Sequence, residues 1–215
     1  MIAIKTFEVN LIQENCYIVS DDTNEAVIVD CGAFYQEELT AISEYIECNG
    51  LKPVAHILTH AHFDHVWGAG YIYNRYRLPA RMHPADLAMF LHAEAQPPMY
   101  MRFKDFHRDF GAAGELLSET TTIDFGHHSF TVIATPGHTP GGVCFHCPDE
   151  RVLFSGDSLF AQSIGRTDFP GGSYDQLVSS LRRMMTAIPD DTTIYPGHGP
   201  VTTAVQERLC NPYLS

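Results

Sequence analysis

The stretch Thr59-His60-Ala61-His62-Phe63-Asp64-His65 places three imidazoles and a carboxylate within six residues, directly after the apolar run Val54-Ala55-His56-Ile57-Leu58. A short, nearly all-apolar run of this kind reads as a strand covered on both faces. Imidazole nitrogen and carboxylate oxygen together suit zinc, iron or manganese. In an extended chain His60 and His62 point the same way, whereas Asp64 and His65 fall past a bend at the start of a helix. One ion cannot easily take all four groups, so two adjacent ions are expected.

Three further runs end in the same manner. Phe130-Thr131-Val132-Ile133-Ala134-Thr135-Pro136-Gly137-His138, Val152-Leu153-Phe154-Ser155-Gly156-Asp157 and Thr193-Ile194-Tyr195-Pro196-Gly197-His198 are β-rich segments closing on a glycine and then a strong ligand type. Glycine lets the chain turn sharply off the strand and aim the next side chain into a common cleft. The expected division gives His60, His62 and His138 to one ion and Asp64, His65 and His198 to the other. Asp157 bridges them, since a carboxylate has two oxygens to share. The remaining histidines, His56, His83, His92, His107, His127, His128 and His146, are read as structural or surface groups. Asp30, closing Ala26-Val27-Ile28-Val29, is expected to support a ligand by hydrogen bonding.

Working outward, the N-terminal third reads as strands over 2–9, 15–20 and 25–30, then a helix over 35–48 with apolar residues at three-to-four spacing, then the strand over 53–59. The middle, about 64–122, reads as mostly helical and irregular. The β pattern returns over 129–135, 142–147 and 151–155, followed by a helix over 174–187, a strand over 192–195 and a last helix near 202–209. Two runs of strands, each followed by helices, fit two packed sheets with helices outside. With 215 residues and no linker or repeat, a single domain over 1–215 is expected.

The charge balance is acidic, 13 Lys and Arg against 26 Asp and Glu, a net −13. That argues against general affinity for nucleic acid or anionic lipid, which needs a basic stripe. No run approaches the roughly 20 apolar residues of a membrane span, and the first ten residues alternate apolar and polar character. A cytoplasmic location without an export signal is expected, with the six cysteines reduced. Cys144 and Cys147 form a C-x-x-C, but strand geometry sends residues three apart to opposite faces, so the pair is read as structural.

The order His60-x-His62-x-Asp64-His65, His138, Asp157, His198 resembles the metallo-β-lactamase superfamily over nearly the whole chain, and within it the short glyoxalase II-like group of hydroxyacylglutathione hydrolases. The resemblance implies an α+β fold, a four-layer αβ/βα sandwich with the metals at one edge, and it agrees with the ligand division above. Two divalent ions sharing a water lower its pKa from about 16 towards about 7. A metal-bridging hydroxide then needs no separate strong base, and Asp64 and Asp157 orient it. No G-x-S-x-G elbow offers a serine nucleophile instead.

Zinc is the first expectation for the ions, with iron or manganese as alternatives. A thioester suits the site because a thiolate leaves with little acid assistance, and the resemblance points to S-2-hydroxyacylglutathione. Longer glyoxalase II enzymes hold glutathione with a basic C-terminal helical extension. None is read after the last helix here, which leaves Arg166, in Gly165-Arg166-Thr167-Asp168-Phe169, as the expected substrate-binding residue. A local ion pair with Asp168 is its other reading. The same run also resembles the persulfide dioxygenases, which would set one iron on His60, His138 and Asp157. Hydrolysis of another ester, lactone or lactam stays open as well. The aromatic stretch 92–110 reads as core or dimer packing, or as a lining of the cleft.

Overall fold

A computed structural model describes residues 1–96 and 109–214. Its first half lays down β1 (Ala3–Val9), β2 (Glu14–Ser20), β3 (Glu25–Val29), α1 (Gln36–Cys48), β4 (Lys52–Ile57), α2 (Phe63–Val66), α3 (Ala69–Tyr76), β5 (Ala80–Met82), α4 (Leu87–Leu91) and β6 (Ala113–Leu116). The second half holds β7 (Thr122–Phe125), β8 (His128–Ala134), β9 (Val143–Cys147), β10 (Val152–Gly156), β11 (Leu159–Phe160), β12 (Ser163–Ile164), α5 (Tyr174–Ala187), β13 (Thr193–Pro196), β14 (Thr202–Thr203) and α6 (Ala204–Cys210).

Strands β1 to β6 form one sheet in sequence order, and β14-β13-β10-β9-β8-β7 form the other. The first begins antiparallel through β3 and continues parallel from β3 to β6. In the second, only β10 and β13 pair in parallel.

Period-two alternation sorts the side chains into layers. Val27, Val29, Ala55 and Ile57 of the first sheet meet Phe130, Val132, Phe145 and Phe154 of the second in the central core. The opposite faces carry Ile18 and Ile28 against Leu39, Ile42 and Ile46 of α1, and Leu153 and Ile194 against Leu177, Leu181 and Met184 of α5. The result is the αβ/βα sandwich. Cys144 and Cys147 separate as strand geometry requires, Cys144 under α5 and Cys147 in the central core.

The middle of the chain, read as mostly helical and irregular, holds α2, α3 and α4 but adds strands to that reading. It contributes the strands β5 and β6, three and four residues long. Strands so short span at most two alternations, too few to register as a period. The last helix also starts later than read, at Ala204, after Thr202 and Thr203 pair with β13. Thr203 caps it, its hydroxyl accepting from Gln206 N at 3.4 Å. Of the aromatic stretch 92–110, Met99 to Phe106 and also His107 lie outside the described residues, while Phe110 packs on the cluster of Leu58, Val66 and Phe90.

Candidate metal centre

All seven expected ligands arrive at one end of the sandwich. His60 and His62 follow β4, Asp64 and His65 lie in α2, and His138, Asp157 and His198 follow β8, β10 and β13. Two triads gather donor atoms that all lie within 4.8 Å of one another: His60, His62 and His138, and Asp64, His65 and His198. Asp157 joins them. Its Oδ1 is 3.3 Å from His65 Nε2, and its Oδ2 is 3.6 Å from His198 Nε2 and 3.7 Å from His138 Nε2.

Glycines before two of these ligands have separate causes. Gly156 turns the chain with φ +49°, a left-handed conformation open to glycine. At Gly197 the reason is space, since a Cβ would stand 2.3 Å from Asp157 Oδ1 and 2.8 Å from His65 Cε1.

Hydrogen bonds around the rim fix which nitrogen of each ring faces inward. His138 gives its Nδ1–H to the Arg166 carbonyl at 2.7 Å, and His198 gives its own to the Ile12 and Gln13 carbonyls at 3.0 and 3.1 Å. His65 donates to Asp30 Oδ2 at 3.0 Å. The Thr59 hydroxyl donates to the same oxygen at 2.7 Å, so its lone pair is left to accept from His60 Nδ1 at 3.1 Å. Four Nε2 atoms therefore face the cleft, that of His138 lying 2.8 Å from His62 Nδ1 and that of His198 3.2 Å from Asp64 Oδ2.

This arrangement fits metal ions on the chain's own evidence. His60 Nε2, His65 Nε2 and Asp157 Oδ1 are buried without a hydrogen-bond partner among the described residues. Buried polar atoms are rarely left so, and converging lone pairs repel each other unless a cation stands between them.

Electrostatics divides the centre. Burial, with the His65 and His138 charges, holds His60 well below the ordinary imidazole range, and burial with His138 brings His62 down to about 4. Burial opposes charge on His65 too, but the carboxylates of Asp157, Asp64 and Asp30 outweigh it and raise that imidazole. At His198 burial is likewise outweighed, by the Asp64 hydrogen bond and the Asp157 charge. His60 and His62 thus stay neutral, whereas His65 and His198 stand among the carboxylates of Asp64 and Asp157.

Several supporting groups leave no trace in sequence. Asp86 is buried and accepts from Ala61 N at 3.1 Å, Thr139 Oγ1 at 2.8 Å and Gly141 N at 2.7 Å, tying together the two loops that carry the first triad. Gln96 accepts from Phe63 N and donates to Ala61 O. Neither residue sits in a pattern that sets it apart. Asp30 does act as read from sequence. Of the other histidines, His128 joins Asp21 and Glu150 at the end of β8 opposite to His138, and His56 is buried in β4.

A cavity of about 650 Å³ opens onto the centre, lined by apolar Ile12, Phe63, Met89 and Phe169 with Arg166 at its edge. This is the size range of small-molecule sites, roughly 300–1,000 Å³. The Arg166 guanidinium forms a bidentate pair with Asp168 at 2.7 Å for each bond and lies 3.9 Å from the Phe169 ring centre. The local pair is therefore formed at the cavity's edge.

With this geometry the comparisons agree. The metallo-beta-lactamase superfamily model matches residues 9–198, and the chain belongs to that family. It is 34% identical to the hydroxyacylglutathione hydrolase GloC of Haemophilus influenzae, over 99% of this chain and 98% of that one. It is also similar to the crystal structure of the BLEG-1 B3 metallo-beta-lactamase (35% identity, TM-score 0.88, 99% and 100% of the two chains). TTHA1623 in a di-iron-bound form matches with 36% identity and TM-score 0.83, over 98% and 100%. No helix among the described residues is long and apolar enough to cross a membrane.

Proposed function

We propose that the chain is a metal-dependent thioester hydrolase, most like the enzymes that split S-2-hydroxyacylglutathione into a hydroxy acid and a thiol. One observation carries it: two donor triads meet at Asp157, and among their atoms His60 Nε2, His65 Nε2 and Asp157 Oδ1 are buried with no hydrogen-bond partner among the described residues. His60, His62 and His138 would hold one ion, Asp64, His65 and His198 the other, with Asp157 shared and zinc the expected metal. Bound there, such ions supply a water acidic enough to ionise near neutral pH and a Lewis acid for the carbonyl.

The chain's own groups do the rest. Asp64 and Asp157 present carboxylate oxygens that accept from the attacking water and align it. The apolar wall of Ile12, Phe63 and Phe169 excludes bulk water from the acyl group, and the Arg166 fork can exchange Asp168 for a substrate carboxylate. The similarity to GloC supports the thioester, and the second triad favours hydrolysis over the mononuclear iron alternative, which would use only His60, His138 and Asp157.

The test is hydrolysis of S-lactoylglutathione by the purified protein. The reading predicts turnover that a chelator abolishes and that His62→Ala lowers at least about 100-fold, beyond the effect of losing a supporting group. Turnover that survives chelation would overturn it.

A further inference from the structure

The turn between β1 and β2, residues 10–13, grips the second triad and leaves the first alone. Asn10 Nδ2 donates at 3.0 Å both to the Asp64 carbonyl and to the Gly32 carbonyl. Two carbonyls of the same turn, those of Ile12 and Gln13, take the Nδ1–H of His198. Just after it, Asn15 holds the chain on both sides of His198: its side-chain amide donates to the Pro196 and Gly199 carbonyls at 3.1 and 3.0 Å, and its backbone N–H donates to Gly197 O at 2.7 Å. The first triad hangs from other groups, Asp86 on the loops of His60, His62 and His138, and the Arg166 carbonyl on His138 itself.

Asp64 and His198 come from segments 134 positions apart in sequence and meet at 3.2 Å. Among the described residues, the turn alone is hydrogen-bonded to both. We infer that Asn10 and Asn15 are positioning residues for the second metal ion: they bring Asp64 and His198 to one point, so that the two halves of the centre load separately. The inference rests on the two-ion reading above and names what assembles its second half.

The backbone dictates a clean test. Asn10 has φ +57°, a conformation in which alanine is strained and glycine is not, so Asn10→Gly removes the amide, with the bond it accepts from Ile12 N at 3.0 Å, at no cost in backbone strain. Asn15 lies in a strand and is replaced by alanine. The metal-free wild type, Asn10→Gly/Asn15→Ala, Asn10→Gly alone and His198→Ala would be titrated with Zn²⁺, with bound ions counted by native mass spectrometry and folding followed by circular dichroism.

The wild type is expected to take two ions. The double variant should take the first with unchanged affinity and the second at least about tenfold more weakly, as His198→Ala does. Adding His62→Ala to the double variant should then weaken the remaining ion. Asn10→Gly alone carries the same expectation in smaller degree if the double variant is unfolded. A second ion held as in the wild type, or both ions weakened together, would overturn the inference. A wild type that takes one ion would instead overturn the two-ion reading beneath it.

Discussion

His65 Nδ1 stands 3.0 Å from Asp30 Oδ2 with both side chains closed to solvent. The same oxygen receives the Thr59 hydroxyl, which accepts in turn from His60, and Asp30 Oδ1 receives the Thr59 N–H at 2.7 Å. One carboxylate therefore orients a histidine in each half of the centre. Asp30 holds φ +55° to do so, a conformation that aspartate and asparagine adopt more readily than other side chains.

Asp30→Asn keeps that backbone but turns an amide NH₂ towards at least one of three donors. We expect a folded protein whose affinity for metal falls about 10- to 100-fold, measured by competition with a chromophoric chelator. Unchanged affinity would mean that neither ring depends on Asp30.

Arg166 offers a second test because its two parts do different work. Its carbonyl fixes His138 and survives Arg166→Ala, while its guanidinium, which holds the Asp168 carboxyl down at about 2, is lost. If the fork serves substrate binding, the variant raises KM for S-lactoylglutathione about tenfold with little change in kcat. KM for an uncharged thioester should not move. Equal effects on both substrates would assign the pair to local structure.

The supporting hydrogen-bond rim and the ligand cluster differ sharply in how far sequence alone reveals them. His60-x-His62-x-Asp64-His65 and the three glycine-led strand ends announce the centre because ligand chemistry permits few residue types. Asp30 is legible for a related reason, a carboxylate closing a buried strand. Asn10, Asn15 and Asp86 are not, since each acts through main-chain partners distant in sequence, and any residue offers a main chain. The same limit hid β5 and β6, whose pairing is set by the strand beside each, β4 for β5 and β5 for β6, and not by a pattern of their own.

Away from the centre, Asp21 governs part of the acid stability. Burial alone would raise its carboxyl, but hydrogen bonds from His127 N, Thr23 and His128 outweigh that and hold it well below the carboxylate range. A folded-state value below the unfolded one, about 3.9, stabilises fully above roughly pH 5 and is lost as pH falls through the acid range. Urea midpoints should drop between pH 6 and pH 3.5 in the wild type and drop less in Asp21→Asn. An identical decline in the variant would remove Asp21 from the account.

The most direct measurement is the metal content of the protein purified without added metal, by elemental analysis, alongside an oxygen electrode during turnover. Two triads meeting at Asp157 predict two divalent ions per chain and thioester hydrolysis without oxygen uptake. A single iron per chain, with oxygen consumed on a persulfide, would contradict the hydrolase reading.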